Sequence, residues 1–209
     1  SVSKRLLSTL NPRTREVITN RYGLDTKEKK TLEAIGKGYG ITRERVRQIE
    51  NFALATIRKS GEFKNHDHVF EELAQIVKGL GAIVPEDVLM KAISQDEVVH
   101  NHINFLMTLS PKFDKHKEDD SFNSRFSVDP AISDHVHDVL NNIAKSINKD
   151  ELVKEEEIVA RFLTESVHLA DEYKSNKDII MKYLNISKIL GKNQLDEWGH
   201  TTSSQVRAR

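Results

Sequence analysis

The stretch Thr31-Leu-Glu-Ala-Ile-Gly-Lys-Gly-Tyr-Gly-Ile-Thr-Arg-Glu-Arg-Val-Arg-Gln-Ile-Glu50 decides the fold of the first quarter of this 209-residue chain. Thr31 and Thr42 each stand where a hydroxyl can accept from the free amides of a first helical turn, so each predicts an N-cap. Apolar residues at Leu32, Ala34 and Ile35, and then at Val46, Ile49, Ala53 and Ile57, recur at helical spacing and give each helix one buried stripe. Gly36 lacks a side chain where two helices must approach, and Gly40, four residues on, can take the positive φ of a tight turn. Val46, ten residues after Gly36, anchors the second helix, and this is the spacing of a helix-turn-helix. With that stripe inward, the outer surface presents Arg43, Glu44, Arg47, Gln48 and Asn51 near the N-terminal end of the second helix. That is the end a recognition helix places in a DNA major groove. Arginine pairs with guanine O6 and N7, glutamine with adenine, and glutamate accepts from cytosine N4.

Working outward, Leu6, Leu7 and Leu10, then Val17, Ile18 and Tyr22, mark two earlier helices over 3–10 and 13–22, with Pro12 at the opening turn of the second and Gly23 ending it. Ser60-Gly61 closes the segment, and 62–65 reads as a short polar joint. The whole chain carries 32 basic and 32 acidic residues. The cancellation hides a split: residues 1–60 hold 14 Lys and Arg against 6 Asp and Glu, a net +8, and 61–209 hold 18 against 26, a net −8. A basic head on an acidic body points to a polyanion partner for the head. No run of roughly 18 apolar residues and no secretory leader pattern appears. The absence of cysteine removes a disulfide framework and fits a reducing cytoplasm. Ser1 in place of Met marks the chain, at this stage, as a fragment.

Beyond His66 the composition turns acidic. Three helical patterns (69–80, 85–93 and 98–109) precede Phe113–Val128, which reads as two short strands with Phe122, Phe126 and Val128 on one face. Three helices and a hairpin make a winged-helix pattern. Pro130 restarts the order with helices over 132–147, 155–163 and 179–186 and a hairpin over 188–198 whose turn falls at Gly191-Lys192-Asn193. The expected fold is therefore mainly α: a helix-turn-helix domain over 1–61, two winged-helix-like α+β modules with short β-hairpin wings over 66–129 and 131–200, and a basic linker or truncated tail over 201–209.

Residues 5–60 resemble region four of the bacterial RNA polymerase sigma factors of the sigma-70 type. The resemblance is carried by Leu10-Asn-Pro-Arg-Thr-Arg-Glu-Val-Ile, Arg21-Tyr-Gly-Leu-Asp, Thr31-Leu-Glu-Ala-Ile-Gly and, above all, Thr42-Arg-Glu-Arg-Val-Arg-Gln-Ile-Glu50. It implies sequence-specific reading of the promoter minus-thirty-five element in transcription initiation or its regulation. Base contacts would come from Arg43, Glu44, Arg47 and Gln48. Backbone contacts would lie near Arg13, Arg21, Thr31, Leu32 and Thr42, and the first helices would dock on the flap of the polymerase beta subunit. Where the family commonly continues Gln-Ile-Glu-Ala-Lys-Ala-Leu-Arg-Lys-Leu, this chain has Phe52 for a lysine and Ala55 for an arginine, and Phe52 is expected to pack against the next domain. Nothing in the chain resembles region two, the element that opens the promoter. Residues 66 onward look like winged-helix modules fused to region four in some bacterial proteins, with Leu195-Asp-Glu-Trp-Gly199 resembling the wing of that group. Their net charge of −8 repels phosphate and favours protein docking. The alternative function is thus an interaction regulator in which the acidic modules mask or redirect region four.

Other signals carry less. The pairs His66/His68, His100/His102 and His135/His137 fall in or beside helical patterns, where i and i+2 diverge, so no metal is expected. His100-Asn-His102 spells a nuclease family's name without its surrounding residues. Gly36-x-Gly38-x-Gly40 lacks the Lys-Ser/Thr of a phosphate loop. The expectation is a cytoplasmic, non-enzymatic protein without cofactors whose partners are promoter DNA, polymerase core and a protein partner for the acidic modules.

Overall fold

Helices of five to seventeen residues dominate the first half of the chain. The computed structural model describes residues 1–207. The elements run α1 (Val2–Leu7), α2 (Pro12–Tyr22), α3 (Leu32–Tyr39), α4 (Arg43–Lys59), α5 (Gly61–Asn65), α6 (Asp67–Gly79), β1 (Ile83–Pro85), α7 (Glu86–Ile93), α8 (Glu97–Leu109), β2 (Asp114–His116), β3 (Arg125–Ser127), α9 (Pro130–Ser146), β4 (Val153–Lys154), α10 (Glu155–Glu165), α11 (Asp171–Lys174), α12 (Lys177–Leu184), β5 (Leu190–Lys192), β6 (Glu197–His200) and α13 (Ser204–Arg207). They pack as two compact units: Ser1–Ala74 with Met90–Phe113, and Gln75–Leu89 with the chain from Asp114 onward. Side-chain caps set where α2, α3, α4, α5 and α8 begin. The last two residues of the tail expected as a linker, Ala208 and Arg209, lie outside the described residues.

In the first unit the helix-turn-helix forms as its spacing demands. Val17, Leu32, Ile35 and Val46 make a small core, with Tyr39, Ile41 and Ile49 half-buried against it. Gly40 adopts φ +66°, and the Ile41 amide donates to the Gly36 carbonyl at 2.9 Å to close the turn. The polar joint expected at 62–65 is instead helix α5. Ser60 supplies the reason: its Oγ accepts from the Phe63 amide, capping a new helix, and the Phe63 ring packs 4.8 Å from Phe70. Helix α8 lies against α1 and α2. Phe105 meets Tyr22 edge-on at 5.2 Å, the buried Asn101 donates to the carbonyls of Gly23 and Lys27 at 3.1 Å each, and Arg58 donates through Nε to the Leu109 carbonyl at 2.6 Å. The Arg58 guanidinium thereby closes the C-terminal end of α8, where carbonyls lack partners. Replacing Asn101 by leucine leaves the buried Gly23 carbonyl and the part-buried Lys27 carbonyl without their donor. The expected loss is about 2–4 kcal/mol, read as a lower urea midpoint at unchanged slope.

The second unit holds two three-stranded antiparallel sheets, ordered β1-β3-β2 and β4-β6-β5. The chain order helix, strand, helix, helix, strand, strand occurs first as α6, β1, α7, α8, β2, β3 and again as α9, β4, α10, α12, β5, β6, with α11 as an added turn. Both runs have winged-helix order, so the fold is mainly α with two short β wings. Pro85 ends the edge strand β1, a place where a missing amide removes no ladder bond. The hairpin turn falls at 193–196 and not at Gly191-Lys192-Asn193. Asn193 Oδ1 accepts from the amides of Leu195 and Glu197, Asp196 takes φ +59°, and Gly191 pairs with Gly199 inside the ladder. Phe122 likewise leaves the strand alternation. Asp119 Oδ1 accepts from the Ser121 and Phe122 amides, which turns the chain there, and Phe122 makes an isolated bridge to Ser187.

That bridge is part of a wider junction within the unit. The Asn123 amide donates to Ile186 O, the Lys188 amide to Ser121 O, and the Tyr183 hydroxyl to Gly81 O at 2.6 Å. The core runs continuously from Ala82, Ile83 and Phe122 through Val136, Leu140 and Ile143 to Phe162, Tyr183 and Trp198. Trp198, the single tryptophan of the chain, sits in β6 with 1% of its surface exposed.

A charged cluster crosses the same junction. Arg125, 5% exposed, donates through Nε to His137 Nε2 at 2.8 Å and through Nη1 to the carbonyls of Lys117 and Asn123. Since His137 accepts, it is neutral. Burial, Arg125 and His116 push its pKa down to about 4, against weaker opposing pulls from Asp134 and Asp119. A histidine whose folded pKa is depressed takes up its proton in the unfolded chain first, so folded stability falls as pH drops from 6.5 toward 4. Allowing for solvent screening of a partly buried ring, the loss is roughly 1–3 kcal/mol. Urea midpoints of wild type and His137→Gln at pH 7 and pH 4.5 check this, the glutamine chain being expected to show the smaller fall.

Candidate nucleic-acid interface

The interface is built from three helix starts. Asn11 Oδ1, Thr31 Oγ1 and Thr42 Oγ1 cap α2, α3 and α4, accepting from Thr14, Ala34 and Arg45 amides at 2.9, 3.1 and 3.1 Å. Each cap fixes the direction in which a helix leaves its loop and leaves first-turn amides and a partial positive charge at the surface. Val46, Ala53, Leu54 and Ile57 are buried on one side of α4, and Arg43, Glu44, Arg45, Arg47, Gln48 and Asn51 are exposed on the other. The predicted reading surface is therefore open to solvent.

Its charges are not loose. Arg47 donates through Nε and Nη2 to both carboxylate oxygens of Glu44 at 2.8 and 2.7 Å, and Arg43 Nε lies 2.9 Å from Glu33 Oε1. Arg45 Nη1 donates to Gln48 Oε1 at 3.1 Å. The Arg47 guanidinium holds the Glu44 carboxyl below its usual range. Such exposed pairs add little stability. What they do is orient planar guanidinium groups, whose fork geometry suits a guanine edge or a phosphate.

The expected backbone-contacting residues divide. Arg13 is exposed on the first turn of α2, its guanidinium 5.4 Å from the Tyr39 ring centroid. Thr31 and Thr42 are exposed caps. Leu32 has its side chain in the core, which leaves its main chain, at the start of α3, as the part that can meet a phosphate. Arg21 is turned inward: its Nε lies 3.5 Å from Glu50 Oε1 and its Nη1 donates to Lys30 O. Phe52, expected to pack against a following domain, is 67% exposed one turn beyond Gln48, because α4 buries Ala53 and Leu54 and so turns position 52 outward. It joins Arg13, Ile41, Arg45, Gln48 and Ile49 around a groove of about 440 Å³ between α2 and α4. Its i+4 relation to Gln48 is legible in the sequence.

The third helices of the two wing-bearing modules are differently placed. Every residue of α8 after Glu97 is buried or half-buried, and α12 buries Ile179, Ile180, Tyr183 and Leu184 while its exposed Lys177 lies 2.8 Å from Glu155. Helix α8 therefore presents no exposed residue after Glu97, whereas α12 keeps Lys177 and Asp178 exposed. The histidine pairs serve the fold: His100 Nε2 meets Ser94 O at 2.6 Å, His102 Nδ1 meets Ser3 Oγ at 2.9 Å, and His66 Nδ1 meets Glu62 O at 2.7 Å. Among the described residues no three His, Cys, Asp or Glu side chains gather at metal-binding distance, and no helix is long and apolar enough to cross a membrane.

Residues 6–59 match the family described as Sigma-70, region 4. Over this segment the chain is similar to RNA polymerase sigma factor SigA1 of Synechococcus elongatus, 57% identical over 53 residues that make up 25% of this chain and 13% of that protein. It is 48% identical over 54 residues to RNA polymerase principal sigma factor HrdD of Streptomyces coelicolor, and 54% identical over 55 residues to RNA polymerase sigma factor RpoS of Coxiella burnetii. Each of those matches covers 26% of this chain and 16% of the relative. The chain thus spans less than a fifth of the length of these relatives. No solved structure matches it.

Proposed function

We propose, from a chain whose residues 6–59 match the Sigma-70, region 4 family, that this protein reads a promoter minus-thirty-five element through α4 and brings that reading to RNA polymerase core in the bacterial cytoplasm, without enzymatic activity of its own. The observation that carries the proposal is the open, capped surface of α4. Arg43, Glu44, Arg47 and Gln48 face solvent together at the helix start, and Arg13, Thr31, the Leu32 main chain and Thr42 surround them as phosphate contacts. Arg21, drawn toward Glu50, reaches a phosphate in this reading only by leaving that carboxylate. In this reading the acidic modules, over 66–129 and 131–200 with the tail 201–209, take no part, because α8 has no exposed residue after Glu97 and the exposed Lys177 of α12 is paired with Glu155. Selection of duplexes by the full chain from randomised DNA, at stated salt, tests the proposal. Enrichment of one minus-thirty-five-like sequence is the expected outcome, and equal recovery of all sequences would remove it.

A second reading, in which the modules redirect region four, is favoured by α8. The first helices, which would dock on the beta-subunit flap, have α8 packed on them through Phe105 and Asn101, while the DNA-facing side of α4 is open. In this reading the modules gate polymerase and leave DNA free. Binding of polymerase core to the full chain, with and without Phe105→Asp, separates the two: tighter binding by the variant supports gating, and unchanged or weaker binding rejects it.

A further inference from the structure

The groove between α2 and α4 is unlike the rest of the head. Ile41, Ile49 and Phe52 line it together with Arg13, Arg45 and Gln48, and no acidic residue is among its lining. Phe52 exposes 67% of its surface there. Arg45 and Gln48 belong to both the groove and the reading surface, so the groove continues that surface along the helix. Glu44, Gln48 and Phe52 fall at i, i+4 and i+8, on one stripe of α4. One turn of helix advances 5.4 Å, and successive base pairs are 3.4 Å apart along a strand. Phe52 therefore addresses a pair one or two steps past the one that Gln48 reaches.

Two guanidinium groups lining one groove without a carboxylate fit a phosphate strand, and an exposed phenyl in the same lining needs an apolar surface. In the major groove the apolar group that a base pair offers is the 5-methyl of thymine, which phenylalanine can contact. We infer that Phe52 is a specificity-determining residue that reads a thymine methyl at the flank of the element, with Arg13 and Arg45 held to the adjoining phosphates. The inference rests on DNA reading by α4. Where the resembled pattern has a lysine, whose contact with a phosphate is blind to sequence, this chain has a contact that depends on the base. An acidic, apolar peptide has partly similar chemistry, but it would not account for the continuity of the groove with Gln48.

The test uses the full chain and the tightest duplex recovered by the selection described above. Each thymine in turn is replaced by deoxyuridine, which keeps all base-pair hydrogen bonds and removes one methyl. Wild type is expected to lose about fourfold in affinity at one position, a pair or two beyond that sensitive to Gln48→Ala. Phe52→Ala is expected to bind the thymine and deoxyuridine duplexes equally. Phe52→Lys is expected to ignore the methyl and to steepen the salt dependence by about one phosphate contact. The position is exposed, so both variants should keep the wild-type melting temperature, which is checked alongside. A wild type that prefers the selected duplex over scrambled DNA but responds to no deoxyuridine overturns the inference and leaves the function standing. So does a methyl effect that survives Phe52→Ala, or a Phe52→Ala chain that binds as wild type while losing an acidic peptide ligand. Failure to prefer any duplex removes the underlying reading itself.

Discussion

Valine at position 36 is expected to collapse the helix-turn-helix, lowering the stability of the first unit by about 2–4 kcal/mol and taking specific DNA binding with it. A Cβ on Gly36 would stand 2.6 Å from the Ile41 carbonyl oxygen and 3.4 Å from the Thr42 carbonyl carbon. Both are backbone atoms of the turn, so no side-chain rotation relieves the clash. The Ile41 to Gly36 hydrogen bond would have to open, and with it the approach that lets Thr42 cap α4. Against a domain stability of about 5–15 kcal/mol this is a large share. Gly38 is the internal control: nothing lies within 4 Å of its Cβ position. Gly38→Ala should therefore stabilise α3 by about 0.5–1 kcal/mol through helix propensity. Urea midpoints of the two variants should move in opposite directions.

Arg47→Ala is expected to weaken binding of the selected duplex by roughly 10- to 100-fold, the range for losing one bidentate base contact, and to relax the preference at one position. Its effect on scrambled DNA should be only that of one lost cation. Glu44→Gln should act differently. It frees the Arg47 guanidinium from the carboxylate that now holds it at 2.7 and 2.8 Å. Affinity for scrambled DNA should then rise and discrimination fall. Titrations of both variants against selected and scrambled duplexes at two salt concentrations separate a base contact from a phosphate contact.

How much of this is legible in the sequence depends on the range of the interactions. The helix-turn-helix was legible because its determinants are local: two threonine caps, Gly40 at positive φ, Gly36 against the turn, and a stripe that fixes which side of α4 is out. The exposure of Arg43, Glu44, Arg47, Gln48 and Asn51 follows from that stripe. The two short strands β1 and β4 were missed because each exists only through distant partners. Val153 pairs with Trp198, and Ile83 with Ser127. Helix α5 is not legible because Ser60-Gly61 has the form of a stop, whereas the Ser60 hydroxyl starts the next helix. The inward turn of Arg21 and the covering of α8 are tertiary, since Glu50 and the 23–28 loop meet them only after folding. The groove needed α2 beside α4, so Phe52 appeared in the sequence only as a departure from a pattern.

The position of Trp198 makes the protein its own reporter. The head has tyrosines but no tryptophan, and the one indole of the chain is sealed in β6. Its emission, excited where tyrosine absorbs weakly, therefore follows the integrity of the second unit. Far-ultraviolet dichroism would follow the helices of both. Unfolding recorded by these signals on one unlabelled sample can show whether the basic head and the acidic body melt together, and whether adding duplex protects only one of them.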